Sequence, residues 1–107
     1  MNKEFIAVLL TKDYDERALI DGVVLKKDVI EELGEQVVTI GPNGQFGVMI
    51  NEHDIVWPTV VGSGEICGIA IMEEDGTVLF HSSFAMSKWV NSGDTFMVKR
   101  GDLTISI

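Results

Sequence analysis

Cysteine is almost missing: Cys67 is the one thiol in 107 residues, so no internal disulfide can form, a composition suited to folding in a reducing cytoplasm. Proline occurs twice, and Lys and Arg together number eight against 17 acids. No apolar run comes near the roughly 20 residues that a membrane helix needs. The opening MNKEFIAVLL passes straight into TKDYDER with no small-residue cleavage site, so it reads as a first strand and not as a signal peptide. Disorder is excluded from the opposite side, because 46% of the residues are hydrophobic and only 23% charged. A chain of this length fits one domain, residues 1–107, and folding it removes roughly two-thirds of the surface that the unfolded chain exposes.

The formal charge of −9 is unevenly spread. Residues 1–27 balance, residues 88–107 carry one excess base, and the whole deficit lies between Asp28 and Ser87, where ten carboxylates meet no Lys or Arg. So acidic a middle opposes a phosphate backbone, which argues against direct nucleic-acid binding. It also biases which face can lie against an acidic partner.

Eleven glycines punctuate short runs of Val, Ile, Phe and Thr, the pattern of an all-β chain: a small antiparallel β-sandwich with at most one short helix. FIAVLL is apolar on both faces and is expected as a central or covered strand. DYDERALIDG reads as a polar connection anchored by Ala18, Leu19 and Ile20. The one helix is expected in KDVIEELGEQ, with Asp28 and Glu31 capping each other and Gly34 as terminator. QVVTI and FGVMI are strands around the turn GPNGQ, and Pro58 marks a crossing segment. The strongest local signal is ICGIAIMEEDGTVLFHSSF, a hairpin around Asp75-Gly76. Its first arm puts Cys67, Ile69 and Ile71 on one face and the small Gly68 and Ala70 on the other, leaving room for a second backbone or a ring. MSKWVNSG is expected as a loop and DTFMV as a strand. KRGD is then a hairpin tip before LTISI, whose period of two places Leu103, Ile105 and Ile107 on the buried side, with Ile107 held by ladder bonds.

Each candidate for chemistry has a structural reading that serves better. Arg100-Gly101-Asp102 matches an adhesion tripeptide, but Gly101 and Asp102 are what a tight turn requires. Cys67, His53 and His81 lack the spacing of a metal site, so Cys67 is expected as a small core residue. Glu73, Glu74 and Asp75 lack the alternation of a calcium loop. Glu52 and Asp54 are neighbours on one strand, not opposite walls of a cleft. GPNG and GSG lack the Lys and helix of a phosphate loop. Trp57 and Trp89 are the aromatics that could plug a sandwich end, lie at a subunit contact, or stack on a sugar.

The segments DIVWPTVVGSGEICGIAIMEEDGTVLF and VNSGDTFMVKRGDLTISI, with a fainter echo in FIAVLLTKD, resemble small structural proteins encoded by tailed bacteriophages, often labelled tail-fibre or virion structural proteins. The resemblance covers roughly residues 54–107. It rests on a strand ending in Trp-Pro, a Gly-rich crossing, a hairpin around Asp-Gly, and a closing V-N-S-G-D-T-F and G-D-L-T. It also favours a strand near residues 27–36. Members often carry a helix before the first strand, and none is expected here.

What the resemblance implies is a β-sandwich virion component without enzymatic activity, cofactor or metal. Its partners are expected to be other virion proteins, such as the major capsid or tail proteins, and further copies of itself, with no nucleic acid and no membrane. The favoured role is capsid decoration or cement, ahead of a tail or fibre module and of a receptor- or glycan-binding module. The expected contact residues are Trp57, Trp89, Lys88, Lys99 and Arg100, with Gly68 and Ala70 on an apolar face that could meet its copies about a three-fold or five-fold axis. The docking side is expected to be the near-neutral amino-terminal and slightly basic carboxyl-terminal parts, with the acidic middle toward solvent.

Overall fold

A computed structural model describes residues 4–12, 14–30, 33–42, 44–58 and 63–106. Eight antiparallel strands dominate it: β1 (Glu4–Leu10), β2 (Glu35–Pro42), β3 (Val48–Asn51), β4 (Ile55–Trp57), β5 (Gly64–Met72), β6 (Val78–Val90), β7 (Phe96–Val98) and β8 (Thr104–Ser106). Six of them run in the order β6-β5-β1-β2-β3-β8, and β4 pairs with β7 in a separate ribbon. The chain is thus a small all-β fold.

β2 turns the corner of the sheet. Its first part, Glu35–Thr39, pairs with β1, and its last part, Ile40–Pro42, pairs with β3. The main core lies between the two layers that this corner creates. Ala7 and Leu9 of β1 and Ile66, Ile69 and Ile71 of β5 pack with Ile55 and Trp57 of β4, Phe96 of β7, and Leu103 and Ile105 of the closing segment. The expected alternation of the last strand holds for Leu103 and Ile105, which are buried, and for Thr104, which is exposed. Ile107 lies outside the described residues.

β1 is central and covered on both faces, as its unbroken apolar run implies. Its alternate residues Val8 and Leu10 join Ala70 and Met72 of β5 and Leu19 in a second core. The lid on that side holds the one α-helix among the described residues, α1 (Glu16–Ile20), which is not where capping signals placed it. Asp15 accepts hydrogen bonds from the amides of Arg17 (3.0 Å) and Ala18 (3.2 Å), and Leu19 inserts beneath. So brief a helix is held by that cap and by Leu19, not by its own propensity.

No α-helix forms across the described part of residues 27–36; Lys26–Asp28 is a single 3₁₀ turn, and Val29 bridges to Leu10 of β1. The reason is Asp28, which caps backward. Fully buried, its carboxylate accepts from the amides of Asp15 (2.7 Å) and Leu25 (2.8 Å), while its carbonyl accepts from Thr11 N (2.9 Å). One side chain thereby pins the loop between β1 and β2 at two points. Glu31, the other half of the expected capping pair, lies outside the described residues. Gly34 does take a positive φ of 73°.

The hairpin around Asp75-Gly76 is present. Gly76 N–H donates to Glu73 O, Glu73 N–H to Thr77 O, and Gly76 has φ +92°, the geometry of a three-residue loop closed by a glycine in the left-handed region.

β6 outruns expectation. Met86–Val90, read from sequence as loop, remains in the strand: Lys88, Trp89 and Val90 pair again with Ile66, Glu65 and Gly64 after residues 84–87 bulge out opposite Cys67. The bulge also moves Cys67. Ile66 and Ile69, three residues apart, both face the main core, and Cys67 is half-buried instead of a core residue. An inserted stretch of this kind breaks the period of two on which the expected faces depended.

Candidate contact surface

The sequence-derived contact residues do not share one environment. Trp57 is only 2% exposed and packs in the main core, its ring 5.7 Å from that of Phe96 and its indole N–H donating to Gly34 O at 3.4 Å. Surface contact through Trp57 is therefore ruled out. Pro58, next in sequence, ends β4 and so sets the ring where the ribbon closes on the sheet. Gly68 and Ala70 are likewise internal: Ala70 fills the second core and Gly68 faces the backbone of β6.

Trp89 is 62% exposed, and its indole N–H donates to Asn91 Oδ1 at 3.0 Å, which fixes the ring direction. It borders a groove of about 310 Å³ shared with Lys12, Ile30 and Glu65. Farther along β6, Met86 (83% exposed) stands on the bulge and Leu79 (51%) near the hairpin turn.

The three bases are exposed but not segregated from the acids. Lys88 Nζ lies 5.7 Å from the centre of the Phe96 ring, and its strand neighbour Trp89 pairs with Glu65. Arg100 sits against the acidic middle: its amide donates to Asp54 Oδ1 (2.7 Å) and its Nε to Glu52 O (3.0 Å). Antiparallel folding returns the carboxyl-terminal segment alongside residues 51–57 and 64–66, so charge blocks separate in sequence become neighbours in space.

The Arg-Gly-Asp turn is locked by a residue that sequence reasoning passed over. Asn51 is fully buried. Its Nδ2 donates to His53 O (2.9 Å) and Lys99 O (3.0 Å), and its Oδ1 accepts from Gly101 N (3.1 Å) and Leu103 N (3.0 Å). Gly101 takes φ +83° at the turn, where Asp102 N–H donates to Lys99 O. This turn is not a hairpin tip, because β7 pairs with β4 and β8 with β3. It carries the chain from ribbon to sheet.

The other polar candidates are also absorbed. Asp75 accepts from the amide of Thr77, Asp54 from that of Arg100, and the Glu52 side chain lies over Gly41. His81 pairs across from Ala70, three residues along β5 from Cys67, and His53 lies in the turn after β3. Among the described residues no three His, Cys, Asp or Glu side chains converge as a cation site, and no helix is long and apolar enough to cross a membrane. No family model, curated protein or solved structure matches the chain.

Proposed function

We propose that this chain is a non-catalytic structural module that acts through surface contacts, as a virion component of a tailed bacteriophage, with capsid decoration or cement as the favoured role and a tail or fibre position as the alternative. The observation that carries the reading is where the polar chemistry goes. Asp28, Asn51 and Asp54 are engaged with backbone amides, while β6 exposes Leu79, Met86 and Trp89 along its length. The phage assignment itself comes from the sequence resemblance over residues 54–107. A cement module acts by mass action, since binding only the assembled lattice stabilises that lattice without chemistry.

Lys88, Lys99 and Arg100 are the proposed docking charges. Replacing all three with Glu is expected to lower occupancy on purified virions about tenfold or more, as interfacial charge reversals do. A circular-dichroism melt in parallel separates lost docking from lost folding, because Arg100 also braces a turn. Occupancy equal to wild type in a folded triple variant rejects these residues as the docking charges.

The groove beside Trp89 favours a second reading, a receptor- or glycan-binding module, because a ring held by Asn91 next to Lys12 and Glu65 has the makings of a sugar platform. Glycan-array binding that disappears in Trp89→Ala is the expected result under this reading. An array showing no Trp89-dependent signal removes it.

A further inference from the structure

The groove beside Trp89 brings three kinds of group to one place: an exposed indole, the carboxylate of Glu65 and the ammonium of Lys12. Its volume of about 310 Å³ lies at the small end of ligand sites, roughly 300–1,000 Å³, which suits a ligand the size of one sugar ring. Trp89 is held through its indole N–H, 3.0 Å from Asn91 Oδ1, a bond that engages the edge of the ring and not its faces. Glu65 lies across from Trp89 in the β5–β6 ladder, and its Oε2 accepts from Ser87 Oγ at 2.7 Å. A carboxylate steadied through one oxygen keeps further lone pairs for hydroxyl donors.

What sets this end of the molecule apart is the sign of its charge. Thr11, also in the groove wall, donates through its N–H to Asp28 O and through Oγ1 to Lys27 O, each at 2.9 Å. Those two bonds bring Lys12 beside the Lys26-Lys27 pair, and all three lysines are exposed. The acid within residues 22–30 is Asp28. It is fully buried, with Oδ1 and Oδ2 accepting from the amides of Asp15 and Leu25, so it presents no carboxylate at the surface. Three of the eight bases of a −9 chain therefore gather at one rim of the groove.

We propose that this groove binds an acidic pyranose, a sugar ring that bears a carboxylate, as the hexuronate units of surface polysaccharides do. The inference rests on the sugar-platform reading above and names the class of sugar. The apolar face of the ring stacks on Trp89, its hydroxyls donate to Glu65, and its carboxylate meets Lys12, with Lys26 and Lys27 behind. The lysines select an acidic sugar over a neutral one, since a hydrogen bond between charged groups outweighs one between neutral groups. The rest of the surface selects a single acidic unit over a polyphosphate strand. Salt confines the pull of the rim to about 8 Å at about 0.15 M, and a long strand would run on over an acidic chain.

The test is an NMR titration of the ¹⁵N-labelled chain with methyl glycosides of glucuronate and galacturonate, each against its own methyl ester, which keeps the ring and removes the charge. The Trp89 indole N–H and the Gly64 and Glu65 amides report binding, the buried Trp57 indole serves as control, and the same spectra show that each variant is folded. At low salt at least one acid is expected to bind about tenfold more tightly than its ester, and the gap should narrow as salt rises. Lys12→Gln combined with Lys27→Gln is expected to bring the two within about twofold of each other, and Trp89→Ala to abolish the shifts at Gly64 and Glu65. Equal, Trp89-dependent binding of acids and esters, or a gap that survives the lysine changes, overturns the acidic-sugar inference and leaves the platform standing. Shifts from none of the four sugars sink the platform as well. A thymidine oligonucleotide that moves the same signals at lower concentration than any sugar overturns the inference in favour of nucleic acid.

Discussion

Asn51→Asp is expected to cost about 4 kcal/mol of stability, enough to lower the melting temperature of a domain this size by roughly 15–25 °C. The substitution keeps the shape and inverts half the chemistry. Oδ1 goes on accepting from Gly101 and Leu103, but the atom that replaced Nδ2 points an acceptor at the carbonyls of His53 and Lys99, 2.9 and 3.0 Å away. The site is fully buried, so a carboxylate there either carries an unpaired charge or binds a proton at a cost. Asn51→Ala is the milder control, expected near 3 kcal/mol. It orphans Leu103 N–H and His53 O, yet Gly101 N–H keeps Asn51 O (3.1 Å) and Lys99 O keeps Asp102 N–H (3.0 Å). Urea melts of the three proteins give the ranking, and an Asp variant within 1 kcal/mol of wild type would show that the turn does not depend on this amide.

The importance of Asn51 could not have been read locally. Standing just after FGVMI, it looks like an ordinary strand terminator, and three of its four partners lie 48 to 52 residues further along the chain. The same limit explains the pairing of the last strands. DTFMV and LTISI announce themselves by alternation, and the four residues between them suit a hairpin, but partners are chosen by the core. Phe96 joins Trp57 in the ribbon, while Ile105 lies across from Met49 of β3. Trp57 was ambiguous for a related reason, since the sequence shows a large ring beside a proline and not which side of the ribbon is covered.

Other features were legible because their causes are local. The run FIAVLL could only be a covered strand, and Asp75-Gly76 could hardly be anything but a turn. The helix was a matter of weighing two capping signals. Asp15 followed by Arg17, Ala18 and Leu19 combines a good cap with good helix formers, whereas Asp28 is diverted to the amides of Asp15 and Leu25. Of the contact residues, only those whose exposure is decided by a polar tip survive on the surface. Lys88, Lys99 and Arg100 stay wet, Trp89 stays wet at the edge of the bulge, and Trp57 does not.

Gly68 shows how far one absent side chain shapes the fold. An ideal Cβ built there would stand 2.4 Å from the carbonyl oxygen of Ser82 and 3.2 Å from Cα of Ser83, with Leu10 Cδ1 at 3.3 Å. The first two are backbone atoms of β6 and cannot rotate aside, so even Gly68→Ala must push the strands apart. Gly68→Val adds two further carbons against Leu10 and is expected to cost about 3 kcal/mol, at the upper end of overpacking penalties. The backbone of Gly68 is not in the left-handed region, so the loss would come from contact and not from torsional strain. Because Gly68 pairs with Ser83 at the end of the regular run Phe80–Ser83, the strain falls on that run. Hydrogen exchange should therefore show early loss of protection at the Phe80–Ser83 amides in Gly68→Ala, with the β1–β2 amides little changed. A Gly68→Val protein as stable as wild type, or one losing protection evenly along the chain, would mean that β6 is not held this closely against β5.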